Sequence, residues 1–187
     1  MKEYIQTKRT VAKHKGHHHQ NSQGFDRAAA ARGEFPFTSI NGFKLIDVEY
    51  KVPEKSERER MRSQFKSVRA AFLREIGKTH EKELRAIGMN DAMIEMVKNG
   101  RTPNGYNVHH KLPIHGGGKN EFSNFILIPI PPHDELHHRV LDPQVAQMQT
   151  GESKMVKLPW SDDMVYVPQK DKAKTAVLAK LAAAKAR

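Results

Sequence analysis

Residues 105–143 read GYNVHHKLPIHGGGKNEFSNFILIPIPPHDELHHRVLDP, and the fold turns on this stretch. Residues 106–108 lead into the pair His109-His110 as a short strand. Gly116, Gly117 and Gly118 then force an irregular loop. Residues 125–130 form a second apolar strand, which Pro131-Pro132 brings to an end. Pro132 suits a first helical turn, and Asp134 and Glu135 stand where carboxylates favour a helix N-terminus. The helix is expected to run to about Leu141, with Pro143 as its stop. Two strands joined by a long loop and followed by a short helix make a ββα unit.

The histidines fall into an informative pattern on these elements. His133 and His137 lie four apart on the helix, so their imidazoles share one face within reach of a single ion. His138 is turned by roughly 100° and misses that ion. Neighbours on a strand point in opposite directions, so one of His109 and His110 can face the metal while the other faces a substrate.

The pattern of His109-His110, then Asn124 fourteen positions after His110, His133 nine further on and His137 four after that, resembles the HNH motif. The wording HHKLPI followed by glycines and an Asn is most similar to the nuclease domains of DNase colicins, S-type pyocins and related interbacterial toxins. The likeness covers about 40 residues, a fifth of the chain. It implies that His109, His133 and His137 bind one divalent metal ion, that His110 is the general base for the attacking water, and that Asn124 holds the loop behind His110. Imidazole suits those roles, because its pKa lies near physiological pH and three His ligands leave coordination positions open. An all-imidazole ligand set favours zinc or nickel over magnesium in binding, whereas magnesium is often discussed as the family's working ion. Lys111, Arg139 and Arg101 are candidate phosphate contacts. Asn107 stands where bacteriocin members often carry an acid, so no carboxylate behind the His pair is expected from that position. His115, in the loop, is expected to be exposed and without a role.

Outward from this segment the chain divides into four. Residues 1–35 are polar and basic and read as a flexible arm, whose His17, His18 and His19 are expected to be solvated. Residues 36–100 read as mostly helical. They open on a strand over 43–52 after the Asn41-Gly42 turn signal. Met61, Phe65, Val68, Phe72, Leu73 and Ile76 then recur at spacings of three and four, which predicts an amphipathic helix stopped by Gly77. Its side bearing Arg58, Arg60, Arg62 and Lys66 reads as a solvated face. Further helices are expected over 80–87 and, capped by Asn90, over 91–98. Residues 101–168 hold the ββα unit and a hairpin, 155–160 with 164–167. Residues 169–187 are Ala- and Lys-rich and helix-prone, though marginal alone in water. The expected fold class is α+β, with a helical N-terminal and middle region and a C-terminal ββα-metal unit.

Composition sets the outer limits. The 187 residues carry 32 Lys and Arg against 21 acids, a formal charge of +11, which attracts polyanions such as nucleic acid. With no cysteine, disulfides, Cys-based zinc sites and thiol nucleophiles are excluded, so a transition-metal site must use the 11 histidines and the carboxylates. No apolar run reaches the length of a membrane span, and the N-terminus lacks the apolar core of a secretory signal. The mean hydropathy of −0.71 implies a folded centre with polar ends.

Two rival chemistries remain open. HDELH has the two-His spacing of a zinc peptidase, yet the base position is Asp134 rather than Glu, and His109, His110 and Asn124 would then have no purpose. A non-catalytic nucleic-acid-binding protein with a structural metal would want a fourth protein ligand, and the motif supplies three. The resemblance implies DNA as substrate, with little sequence specificity. It also implies an antibacterial toxin, cytoplasmic in its producer and delivered into a target cell, restrained by an acidic immunity protein and carried by a secretion machine. A phage or housekeeping HNH nuclease is the contrasting expectation.

Overall fold

The computed structural model describes residues 25–168, which form a mixed α and β fold. Residues 1–24 of the arm expected over 1–35, and the whole tail over 169–187, expected to be helix-prone, lie outside the described residues. From residue 25 the chain is already structured. Asp26 accepts from the amides of Ala28 and Ala29 and caps a short helix, α1 (Arg27–Ala31), whose Ala30 is buried. The boundary placed at residue 35 is therefore corrected.

Asn41 and Gly42 take positive φ values of 48° and 82°. This is the backbone of a tight hairpin turn, and it joins β1 (Ser39–Ile40) to β2 (Phe43–Lys51). The far edge of β2 is filled by β5 (Ser153–Trp160), antiparallel from Lys44↔Trp160 to Lys51↔Ser153. The hairpin expected within residues 155–167 does not form. β2 offers eight paired positions, twice what the short 164–167 arm could supply, and Val165 instead lies parallel beside Leu127.

The long amphipathic stretch is α2 (Lys55–Thr79), followed by α3 (Glu81–Ala86) and α4 (Asp91–Lys98). Asn90 caps α4 as expected, its side chain accepting from Met93 N at 3.0 Å. Gly77 does not stop α2. It is buried where α2 crosses α4, and a Cβ there would sit 2.9 Å from the Lys98 backbone.

β3 (Tyr106–His110) and β4 (Phe125–Pro129) form a separate antiparallel pair with His109 opposite Ile126 and His110 opposite Phe125. β4 is buried on both faces. Phe125 and Leu127 pack with Phe72, Leu73, Ile94 and Val97 of the helices, while Ile126 and Ile128 pack with Phe43, Leu136 and Val140. That explains an unbroken apolar strand where a half-exposed one would alternate. After β4 comes α5 (Ile130–Leu136). The helical path does not end at Leu141: a widened π turn (His137–Leu141) carries it into α6 (Asp142–Val145). The wider turn accommodates Pro143, whose ring and missing N–H would clash with a regular ladder.

Substituting Gly77→Ala is expected to cost about 1–3 kcal/mol, despite the gain in helix propensity, because the methyl overpacks a backbone contact. Urea unfolding measures it, and an unchanged midpoint would contradict the crossing described.

Candidate metal centre and neighbouring cleft

Strand alternation sends the two neighbouring histidines to different places. His109 lies on the face that β4 presents with Ile126 and meets α5. His110 lies on the face of Phe125 and meets α2. Its ring is 4.4 Å from Phe65 and 4.8 Å from Phe125, centroid to centroid.

His109, His133 and His137 each offer a ring nitrogen, and these nitrogens lie within 4.8 Å of one another. His137 Nε2 is 3.4 Å from His109 Nδ1. Two ligands of a tetrahedral ion with metal–nitrogen bonds of about 2.05 Å stand about 3.3 Å apart, so this donor set fits a first-row divalent ion. His133 Nδ1 lies 2.9 Å from Asp134 Oδ1, and His137 Nδ1 lies 3.3 Å from Asp142 Oδ1. A carboxylate beside Nδ1 holds the proton there and leaves Nε2 as the ligand atom. His138 is exposed and outside the cluster, as its helical phase predicts.

Burial holds His109 well below the ordinary imidazole pKa of 6.5, assisted by His137 and His133 beside it. Burial likewise lowers His137, with Asp142 opposing, and lowers His110, with the Asn120 hydrogen bond opposing. Burial lowers His115 too, together with the nearby Arg58 and Arg62. Neutral rings with free lone pairs are what a metal requires.

Asn124 is buried and staples the loop. Its Nδ2 donates to Leu112 O at 2.9 Å and Lys119 O at 3.0 Å, and its Oδ1 accepts from Leu112 N at 2.8 Å. The expected loop-holding position is therefore occupied. Gly118 lies so close to the Leu112 carbonyl that any Cβ would collide with it, and Gly116 is pressed against the Tyr50 ring.

The three cations expected to reach phosphate differ in placement. Lys111 is 2% exposed; its Nζ donates to Ser123 O at 2.8 Å and sits 5.2 Å from the Trp160 ring centroid. It is spent on the protein's own structure, because an ammonium this buried needs internal acceptors. Arg139 is exposed with its guanidinium 5.8 Å from the Phe37 ring centroid, and Arg101 is exposed.

Several contributors escaped the sequence reading. His115 is not a free loop side chain: it is half-buried, and its Nδ1 is 3.0 Å from Tyr50 Oη. Both line a cavity of about 380 Å³ that also reaches His137 and Asp142. Asp142 backs His137 only because the π turn brings it round, and no spacing rule flagged it. Asp134 follows His133 directly and reads in the sequence as a helix-start acid and as the residue in a zinc peptidase's base position, not as a partner of the His133 ring. On the other side of the loop, Arg58, Arg60, Gln64, Lys119 and Asn120 line a cleft of about 290 Å³ against α2.

No family model and no solved structure matches the chain. It is similar to the uncharacterized protein YhhZ of Escherichia coli (strain K12), with 30% identity over 135 residues, which is 71% of this chain and 33% of YhhZ. The chain thus spans about a third of that relative's length.

Four histidines with lowered pKa make folding pH-dependent. Below about pH 6.5 the unfolded chain takes up protons that the folded chain refuses, so stability falls as the solution is acidified, by at most about 1.4 kcal/mol per pH unit for each group. In EDTA, Tm is expected to drop between pH 7.5 and pH 5.5. At pH 7.5 zinc should raise Tm, and His133→Ala or His137→Ala should abolish that increment; scanning calorimetry checks both.

Proposed function

We propose that this protein is a metal-dependent endonuclease of the HNH type, hydrolysing phosphodiester bonds in DNA with little sequence preference. The observation that carries the reading is the placement of three imidazoles on one side of β3, with a fourth, His110, presented by the very next residue on the other side. A closed structural site needs a fourth protein ligand, and among the described residues the cluster has three.

His109, His133 and His137 would hold the ion, with Asp134 and Asp142 orienting two of the rings. When bound, a divalent cation offsets negative charge on the phosphoryl and departing oxygens. His110 takes the proton from the attacking water, a task that suits a neutral imidazole. Asn124 keeps the backbone after His110 in place. Helix α2, with eight Lys and Arg against three acids, brings a positive face beside His110 and supports binding to a polyanion. Few of these contacts could read base edges, which agrees with low specificity.

The biological setting we favour is an antibacterial effector that an acidic immunity protein neutralises, the +11 charge suiting such a partner.

Plasmid cleavage by wild type and His110→Ala, with magnesium, nickel, zinc or EDTA, tests the reading. Metal-dependent cleavage by wild type is expected, with His110→Ala losing cleavage but retaining zinc. Absence of cleavage of DNA and RNA with every ion would instead make this a nucleic-acid-binding protein with a structural metal.

A further inference from the structure

His110 makes a contact that the HNH reading does not use. Its Nε2 lies 2.9 Å from Asn120 Oδ1, and Asn120 Nδ2 donates to Met61 O of α2 at 2.8 Å. These two contacts together settle a proton. A backbone carbonyl only accepts, so the Asn120 atom facing Met61 must be the amide NH2. The opposite amide atom, facing His110, is then the oxygen, which also only accepts. Turning the amide over would set oxygen against oxygen at Met61. His110 Nε2 must therefore donate, and in the neutral ring the lone pair is left on Nδ1.

The remaining geometry keeps that nitrogen available. Phe65 and Phe125 flank the ring on two sides, so turning it to exchange its two nitrogens would disturb both contacts and the bond to Asn120. Among the described residues, Nδ1 has no hydrogen-bond partner. The side-chain polar atoms buried without a partner are Arg58 Nε and Thr102 Oγ1, so Nδ1 reaches solvent. Asn120 is itself anchored to the backbone of a 25-residue helix, which makes it a rigid template rather than a loop side chain that follows the ring.

We propose that Asn120 is a positioning residue that locks His110 as the Nε2–H tautomer and so makes Nδ1 the atom that accepts the proton from water. The tautomer stands on the hydrogen bonds alone; the proton-accepting role rests on the nuclease reading. Through Met61, the same link makes α2 part of the catalytic apparatus.

The two layers are measured separately. In the full-length protein with 15N-labelled histidine, at pH 8 with EDTA, long-range proton–nitrogen correlation spectra should show His110 protonated at Nε2. Asn120→Leu should raise the Nδ1–H share about fivefold, the worth of one net hydrogen bond. An Nδ1–H signal in the wild type, or an unchanged ratio in Asn120→Leu, overturns the proposal whether or not DNA is cleaved. In cleavage assays Asn120→Leu should lower kcat roughly ten- to hundredfold, the usual effect of losing an orienting partner, with KM and zinc affinity within about twofold. An unchanged kcat overturns the positioning role. A wild type with the Nε2–H ring that cleaves nothing overturns the nuclease reading, and with it only the proton-accepting role.

Discussion

The pairing of β3 with β4 governs the placement of the candidate chemistry. β4 is buried on both faces, so its register is held from two sides at once. Phe125 and Leu127 belong to the helical core, and Ile126 and Ile128 to the core beneath α5. A slip by one residue would exchange those faces and carry His109 away from α5 and His110 away from α2. Two adjacent histidines thus acquire different surroundings because β3 alternates and its partner β4 is buried on both faces.

The loop between those strands is held by contacts rather than by its own preferences. Asn124 occupies three backbone groups from Leu112 and Lys119, and Gly116 and Gly118 allow approaches that a Cβ would prevent. Tyr50 lies under Gly116 and bonds His115, which ties the three-stranded sheet to the loop. The buried Asn124 finds internal partners for its amide, as a low-dielectric interior demands. The same logic accounts for Lys111: once its stem enters the core, the Ser123 carbonyl and the Trp160 ring take the place of water.

Charge is distributed with a division of labour. In the imidazole cluster burial lowers the pKa of His109 and His137, and Asp134 and Asp142 lie at its rim. The cations lie across the β pair on α2, where Arg58 and Arg62 are felt by His115. Burial favours the neutral rings that can hold a cation, and the exposed helix face favours an anionic partner. Those requirements would conflict if the groups were mixed on one surface.

Local sequence determined a good deal of this protein. The three- and four-residue spacing of α2, the Asn90 cap, the Asn41-Gly42 turn and the strand–loop–strand–helix order all follow from local sterics and periodicity, which need no distant partner. The sharing of one helical face by His133 and His137 is equally local, and Asn124 was legible through a motif. Tertiary structure alone decided that β5 joins β2 rather than folding back on residues 164–167, and that Gly77 serves a helix crossing. It also decided that the helix passes Pro143 and brings Asp142 to His137. Lys111 turned inward, and Tyr50, His115, Asn120 and Met61 came together for the same reason. These pairings join residues up to 116 positions apart, and their free energy comes from burial and hydrogen bonds that exist only once the cores have assembled, which local sterics and periodicity do not encode.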